Sequence, residues 1–172
     1  MARYRVPTMG CQDSIKKCNQ KDEKTIVNII NESAKAYRGT VPEDRYHERY
    51  MSLQELRSEM SEMTFFGYEE DGRLLAVAGY QPVKDMTLVR HIYVLPEHQR
   101  RGIGGKLLNH IISIATTRQV LVGTWGAAAW AIGFYQKHGF RLAPNKDELL
   151  RKYWRIPERQ IELSVVLVMD QS

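Results

Sequence analysis

Apolar positions recur along this chain with two different periods, and the switches between them divide it into elements. Ile26, Ile29, Ile30, Ser33 and Tyr37 follow Asp22 at spacings of three and four, which marks one face of a helix. Gly39 and Pro42 end it, and Ser14–Asn19, anchored by Ile15, reads as a short strand before it. Ser52 with Glu55 three residues on forms an S-x-x-E capping box, opening a second helix that runs to about Met63. The period then shortens. Thr64–Glu70 is aromatic and extended, Asp71-Gly72 is a hairpin turn signal, and Leu74–Val83 is the partner strand. A second tight turn at Lys84-Asp85 leads to a third apolar strand, Thr87–Val94. Leu107, Leu108, Ile111 and Ala115 share one face of a long helix over Gly102–Arg118. Val120–Trp125 is the next strand and Ala127–His138 the next helix, with Gly139 as its C-terminal cap. Phe140–Leu142 starts another strand, Ala143–Trp154 is a charged insertion with helical character, and Ile161–Met169 is a last, strongly β-prone strand.

This order predicts a mixed α/β domain around one central, mostly antiparallel sheet. The step from Thr87–Val94 through the long helix to Val120–Trp125 should place those two strands parallel. The 172 residues suit one domain, read as residues 14–172 behind a loose extension over residues 1–13. No run approaches the ~18 apolar residues of a membrane span, and the N-terminus lacks the apolar stretch of a secretory signal. Cys11 and Cys18 fit neither a disulfide framework nor a metal-ligand spacing, so a reducing cytoplasmic home and no metal are expected. The net charge of +5 favours anionic partners. The basic residues are scattered, not ranged along one helix with interleaved aromatics, so a nucleic-acid partner is not expected.

The sharpest basic cluster lies where Thr87–Val94 runs through Pro96 into the long helix, as Gln99-Arg100-Arg101-Gly102-Ile103-Gly104-Gly105-Lys106. The pattern places free backbone N–H groups, the positive end of a helix dipole and permissive glycines together, which is the chemistry of a phosphate cradle. A Walker loop fails because Lys106 is followed by Leu107, and a dinucleotide fingerprint fails because Leu107 stands where its third glycine belongs.

The hexad Gln99–Gly104 matches the Q/R-x-x-G-x-G/A signature of the GNAT superfamily of acetyl-CoA-dependent N-acetyltransferases, and Ala131–Arg141 resembles its A-x-x-F-Y-x-K-x-G-F segment. Several expectations follow from that resemblance. The strand Thr87–Val94 should splay from Val120–Trp125, with the backbone of Ile92, Tyr93 and Val94 pairing the pantetheine arm of acetyl-CoA. The pyrophosphate should rest on the loop Gln99, Arg100, Arg101, Gly102, Ile103, Gly104, Gly105 and Lys106. Tyr135 matches the family's general acid; its plainer reading is a packed aromatic. Ala128 stands where many members carry a cofactor-contacting asparagine.

A base is also required, with His91, Glu69 and Glu70 as candidates and His91 nearest the cofactor stretch. Tyr37, Tyr46 and Tyr50 should line the acceptor wall. The expected acceptor is a small primary amine. A protein or peptide amine, or a catalytically inactive acetyl-CoA sensor, are the alternatives. A homodimer is a further expectation, should Ile161–Met169 form an exposed edge.

Overall fold

The computed structural model describes residues 10–172. Residues 1–9 of the expected extension lie outside the described residues. Residues 12 and 13 do not behave as a loose tail: Asp13 opens the first strand, and Gln12 exchanges backbone and side-chain bonds with Asp71 at the tip of the following hairpin.

The elements run β1 (Asp13–Lys17), α1 (Glu23–Ala34), α2 (Leu53–Glu62), β2 (Thr64–Glu70), β3 (Arg73–Val83), β4 (Met86–Val94), α3 (Ile103–Ile114), β5 (Gln119–Trp125), α4 (Ala129–Lys137), β6 (Arg141–Leu142), α5 (Lys146–Tyr153), α6 (Glu158–Leu163) and β7 (Ser164–Asp170). The capping box at Ser52 and Glu55 closes in both directions. At the β2–β3 turn, Asp71 and Gly72 both adopt positive φ, as a two-residue hairpin of matching twist requires.

Seven strands form one sheet in the order β1-β2-β3-β4-β5-β7-β6, antiparallel except for the β4–β5 pair. Alternation along the central strands assigns their side chains to opposite faces. Val120, Val122 and Leu167 join the large core that holds α1, α2 and α3, whereas Leu88, Leu121, Val166 and Val168 pack with Leu150, Tyr153 and Ile161 of α5 and α6.

Two expected boundaries move for local reasons. The long helix ends at Ile114, not Arg118, because the Thr117 hydroxyl is held by Thr87 and by the carbonyl of Gln119, which commits that segment to the strand. The last apolar run is split. Pro157 starts α6, Ile161 is buried under α5, and the strand begins only at Ser164. Strand β7 then lies between β5 and the two-residue β6, so the last apolar run is not the terminal strand of the sheet. Among the described residues, no helix is long and apolar enough to cross a membrane.

Candidate active site

The site begins with a defect in the sheet. The β4–β5 pairing covers only Thr87–Val89 against Val120–Val122. Beyond it, His91 takes a left-handed φ of 54° and the β3–β4 register slips between Val77 and Gly79, so β4 bulges away from β5. The gap opens into a groove of about 960 Å³, floored by Ile92, Tyr93, Val94, Gly123 and Thr124.

At one end of the groove stands the N-terminus of α3. Gly102 is its cap, with φ of 78° and no side-chain hydrogen bond. The first helical amide to close a bond is Lys106, on the Gly102 carbonyl at 3.1 Å. The amides of Ile103, Gly104 and Gly105 therefore precede the ladder, at the positive end of the helix dipole. A Cβ on Gly102 would meet nothing within 4 Å, and one on Gly104 would only touch the Phe134 ring at 3.4 Å. The backbone here is open to a polyphosphate, and the residues fit the coenzyme that the sequence implies.

The charged side chains divide. Arg100 and Lys106 line the groove, although Lys106 Nζ also sits 3.0 Å from Asp13. Arg101, expected on the phosphate, instead turns to Glu70 at 2.5 Å and to His98 Nδ1 at 3.0 Å. Glu70 is thereby occupied, and Glu69 lies 3.5 Å from Lys16, so neither carboxylate reaches the cleft as a base. Gln99 lines the groove, but its amide donates to the Val94 carbonyl at 3.1 Å, which also accepts from Ser33 Oγ at 2.9 Å. With both lone pairs engaged, that carbonyl anchors the loop and is not free for a ligand.

A smaller cavity of about 120 Å³ adjoins the groove. Tyr37, His91, Tyr93, Gly123 and Thr124 line both spaces, so the two meet at these residues. Tyr50, Arg90 and Trp125 continue the wall, and Trp154 and Gln160 from the C-terminal segment cover it. The aromatic rings support one another: Tyr37 stacks on Tyr50 at 5.7 Å, meets Tyr93 edge-on at 6.5 Å, and lies 5.7 Å from Trp130. Tyr46 leans on Tyr50 from behind at 6.4 Å without reaching the cavity, and Trp125 Nε1 donates to the Tyr50 hydroxyl. Burial pushes the Tyr37 phenol up to about 12 and raises those of Tyr50 and Tyr93. At neutral pH all three remain protonated donors.

His91 is sandwiched between Phe65 at 6.0 Å and Tyr93 at 6.3 Å. Its Nε2 lies 2.6 Å from Glu59 of α2, off the axis of an ideal hydrogen bond, and neither atom finds another partner. Arg90 approaches the other oxygen of Glu59 at 3.6 Å. Burial alone would raise the Glu59 carboxyl, but the His91 contact and the Arg90 charge outweigh it and hold it below the usual carboxylate range.

Tyr135 is buried on α4, packed edge-on against Phe134 at 5.1 Å and Phe140 at 5.8 Å, and it lines the groove. Burial, with a smaller contribution from Tyr37, raises its phenol well above the ordinary value, so it holds a proton at neutral pH. Ala128 is fully buried beside Val41 and Trp125. Its methyl serves packing at the position where the resemblance implies an asparagine in other members.

Sequence reasoning did not reach Glu59, Gly123, Thr124, Trp154 or Gln160. Glu59 sits on α2 near Leu56 and Met60, which pack into the core, and only the fold shows what it meets; Trp154 and Gln160 come from a segment whose path over the sheet no local pattern reveals. Gly123 alone left a signal, as a glycine inside a strand, which marks a close approach. A Cβ there would come within 3.2 Å of the Trp154 indole.

The acetyltransferase (GNAT) domain family matches residues 61–142. The chain is 36% identical over 108 residues to the ribosomal protein bS18 alanine N-acetyltransferase of Salmonella typhimurium, across 55% of this chain and 70% of that enzyme. Its fold is similar to that of the PaiA N-acetyltransferase of Thermoplasma acidophilum in complex with coenzyme A, with TM-score 0.67 and 17% identity over 93% of this chain and 99% of that one. It is also similar to N-acetylglutamate synthase from Neisseria gonorrhoeae, with TM-score 0.67 and 22% identity over 94% of this chain and 35% of that one. With the splayed β4–β5 pair and the open glycine turn at the start of α3, these relationships place the chain in the GNAT superfamily of acetyl-CoA-dependent N-acetyltransferases.

Proposed function

We propose that this acetyltransferase acts on a small primary amine, held in the cavity between Tyr37, Tyr50, Arg90 and the Trp154 cover. The observation that carries the reading is the junction of the two spaces: the 120 Å³ cavity opens to the cofactor groove at Tyr37, His91, Tyr93, Gly123 and Thr124. A space of that size, lined also by Trp154 and Gln160, suits a compact molecule better than an extended chain. Its aromatic faces attract an ammonium ion as it enters. A cytoplasmic enzyme agrees with the unpaired Cys11 and Cys18.

Acetyl-CoA, when bound, supplies an activated acetyl thioester. The backbone of Ile92 and Tyr93, facing the β4–β5 gap, and the amides of Ile103–Gly105 are the groups available to hold it. Arg100 and Lys106 add positive charge beside those amides. A protonated amine has no lone pair, so His91 takes the proton from the acceptor at the junction. The phenol of Tyr135, kept protonated by burial, gives a proton to the departing sulfur. Tyr37 and Tyr50 orient the acceptor, with Tyr46 bracing Tyr50.

The acceptor named for the Salmonella relative, a ribosomal-protein alanine, favours a second reading in which a peptide N-terminus enters the same junction. One screen separates the two: benzylamine, phenethylamine, putrescine and glucosamine against a hexapeptide beginning with alanine, each with acetyl-CoA and thiol release as readout. Turnover of a small amine at ten times the peptide's kcat/KM or better supports the proposal, and the reverse order overturns it. Tight acetyl-CoA binding with no turnover of any amine would leave the chain as a sensor.

A further inference from the structure

We propose that Glu59 is the positioning residue of the reaction: its carboxylate holds the His91 ring as the Nε2–H tautomer and stabilises the charge that the ring acquires when it takes the acceptor's proton. The inference rests on the reading of His91 as the base.

The geometry admits little else. A bare Nε2 lone pair beside an ionised carboxylate oxygen at 2.6 Å would be repelled, so the contact favours a proton on Nε2, although the N–H lies off the line to Oε2. In a neutral imidazole this leaves Nδ1 as the nitrogen with a free lone pair. The ring cannot swing away, because Phe65 and Tyr93 flank it at 6.0 and 6.3 Å and its backbone is fixed in the bulge. The residue type suits that bulge, since histidine is among the few side chains enriched at left-handed φ. When Nδ1 accepts a proton, the ring becomes a cation beside an ionised carboxylate. That pair is stabilised in a partly buried setting, where its attraction is stronger than in water. The proton lost by the ammonium is the one gained by Nδ1. The freed amine forms the new C–N bond while the C–S bond breaks; the sulfur takes its proton from Tyr135, and the second proton, which the nitrogen sheds as it becomes an amide, restores the Tyr135 phenol.

The charged and titratable groups that contact His91, adjoin it or share its cavity are Glu59 from α2, Arg90 and Tyr93 from β4, and Tyr37 and Tyr50 from the segment between α1 and α2. Arg90 opposes a second positive charge, but it sits 3.6 Å from Glu59 Oε1 and shares that carboxylate. The phenols stay neutral across the physiological range because burial raises them. Glu59 is thus the one anion among the groups named here, and its contact with His91 is the shorter of its two.

The test uses Glu59→Gln, which keeps shape and removes charge, and His91→Asn, which keeps a residue tolerant of left-handed φ. In the wild-type protein, long-range ¹H–¹⁵N spectra of the neutral His91 ring, assigned by its loss in His91→Asn, should show the Nε2–H tautomer. In Glu59→Gln the Nε2 and Nδ1 resonances should move, since the carboxylate beside Nε2 is replaced by a neutral amide. With the amine best used in the screen above, kcat should fall at least about tenfold, while acetyl-CoA affinity stays within twofold. The double variant should be no slower than His91→Asn alone, because Glu59 acts through the ring. Unchanged ring resonances in folded Glu59→Gln overturn the proposal, as does an Nδ1–H tautomer in the wild type. If His91→Asn is inactive while Glu59→Gln keeps its kcat, the dyad is wrong and the base assignment survives. If His91→Asn keeps full activity, the base assignment itself falls.

Discussion

The proposed cofactor half of the cleft comes almost entirely from one continuous stretch, β4 through the first turn of α3, and the groups it offers are backbone atoms: strand edges in the gap and helix amides beside Gly102 and Gly104. The proposed acceptor half is assembled from pieces far apart in sequence. Tyr37 and Tyr50 come from the segment between α1 and α2, Glu59 from α2, Arg90 and His91 from β4, Gly123–Trp125 from β5, and Trp154 and Gln160 from the C-terminal segment. Its working parts are side chains. A backbone site demands particular local geometry, which glycine spacing advertises. A side-chain site demands only that different elements converge, which is a property of the fold.

The largest effect that should sharpen this contrast falls on the junction. His91→Asn is expected to reduce kcat by roughly 10²–10⁴, the range for loss of a general base. Acetyl-CoA affinity, measured by calorimetry, should change less than threefold, since the groups proposed to hold the coenzyme are the backbone of Ile92 and Tyr93 and the amides of Ile103–Gly105, not the His91 side chain. A matching loss of affinity would show that the two halves are not separable at β4. Tyr135→Phe follows with a smaller effect, about 10² in kcat, because a thiol is a fair leaving group and water can partly replace the acid. The ring supplies most of the packing against Phe134 and Phe140, so thermal stability should hold. A variant that turns over at the wild-type rate would leave Tyr135 as a core aromatic.

On the cofactor side, Gly102→Ala tests the backbone itself. Nothing within 4 Å would obstruct the new methyl, so any cost comes from holding an L-residue at φ of 78°. That strain is about 1 kcal/mol, which should lower the melting temperature by about 2–4 °C. If the turn relaxes to relieve it, acetyl-CoA affinity should weaken while acceptor KM stays put. A variant with unchanged melting would mean that the turn tolerates the residue. Unchanged affinity alongside a lowered melting temperature would mean that the αL cap serves the fold and not the cradle.

Legibility in the sequence followed the same line. The strand order from β2 to β5 could be read because Asp71-Gly72 and Lys84-Asp85 announce tight turns between alternating runs, and the capping box at Ser52 announces α2. The glycine turn could be read because positive φ at a helix start restricts the residue. Arg101 could not be placed, since an arginine beside a phosphate cradle and one paired with Glu70 look alike in one dimension. The β7 boundary slipped because Ile161 is as apolar as a strand residue, yet Pro157 four positions earlier allows a helical turn. Glu59 stands near Leu56, Met60 and Met63, which reach the core, but its own type reads as a solvated charge, and only the fold brings Arg90 and His91 of β4 to it.

The finest test of the division is at Gly123, which lines both spaces. Alternation along β5 points position 123 to the face of Leu121, toward α5 and α6, where the Trp154 indole lies across the strand. In Gly123→Ala the new methyl would sit 3.2 Å from that ring. The distance is tight but not prohibitive, and the indole is on the cover, not in the core of the sheet. It should yield by a few tenths of an ångström and move into the acceptor cavity, whose volume is only about 120 Å³. The strand itself gains, because glycine in a strand interior costs conformational entropy, so the melting temperature should hold or rise slightly. Acceptor KM should therefore increase a few-fold, an effect of about 1 kcal/mol or less, with acetyl-CoA KM and kcat near wild type. Bulkier amines should suffer more than compact ones. If acetyl-CoA KM rises in step with acceptor KM, Gly123 belongs to the groove, and the line between the two halves lies nearer Trp154 than the lining residues place it.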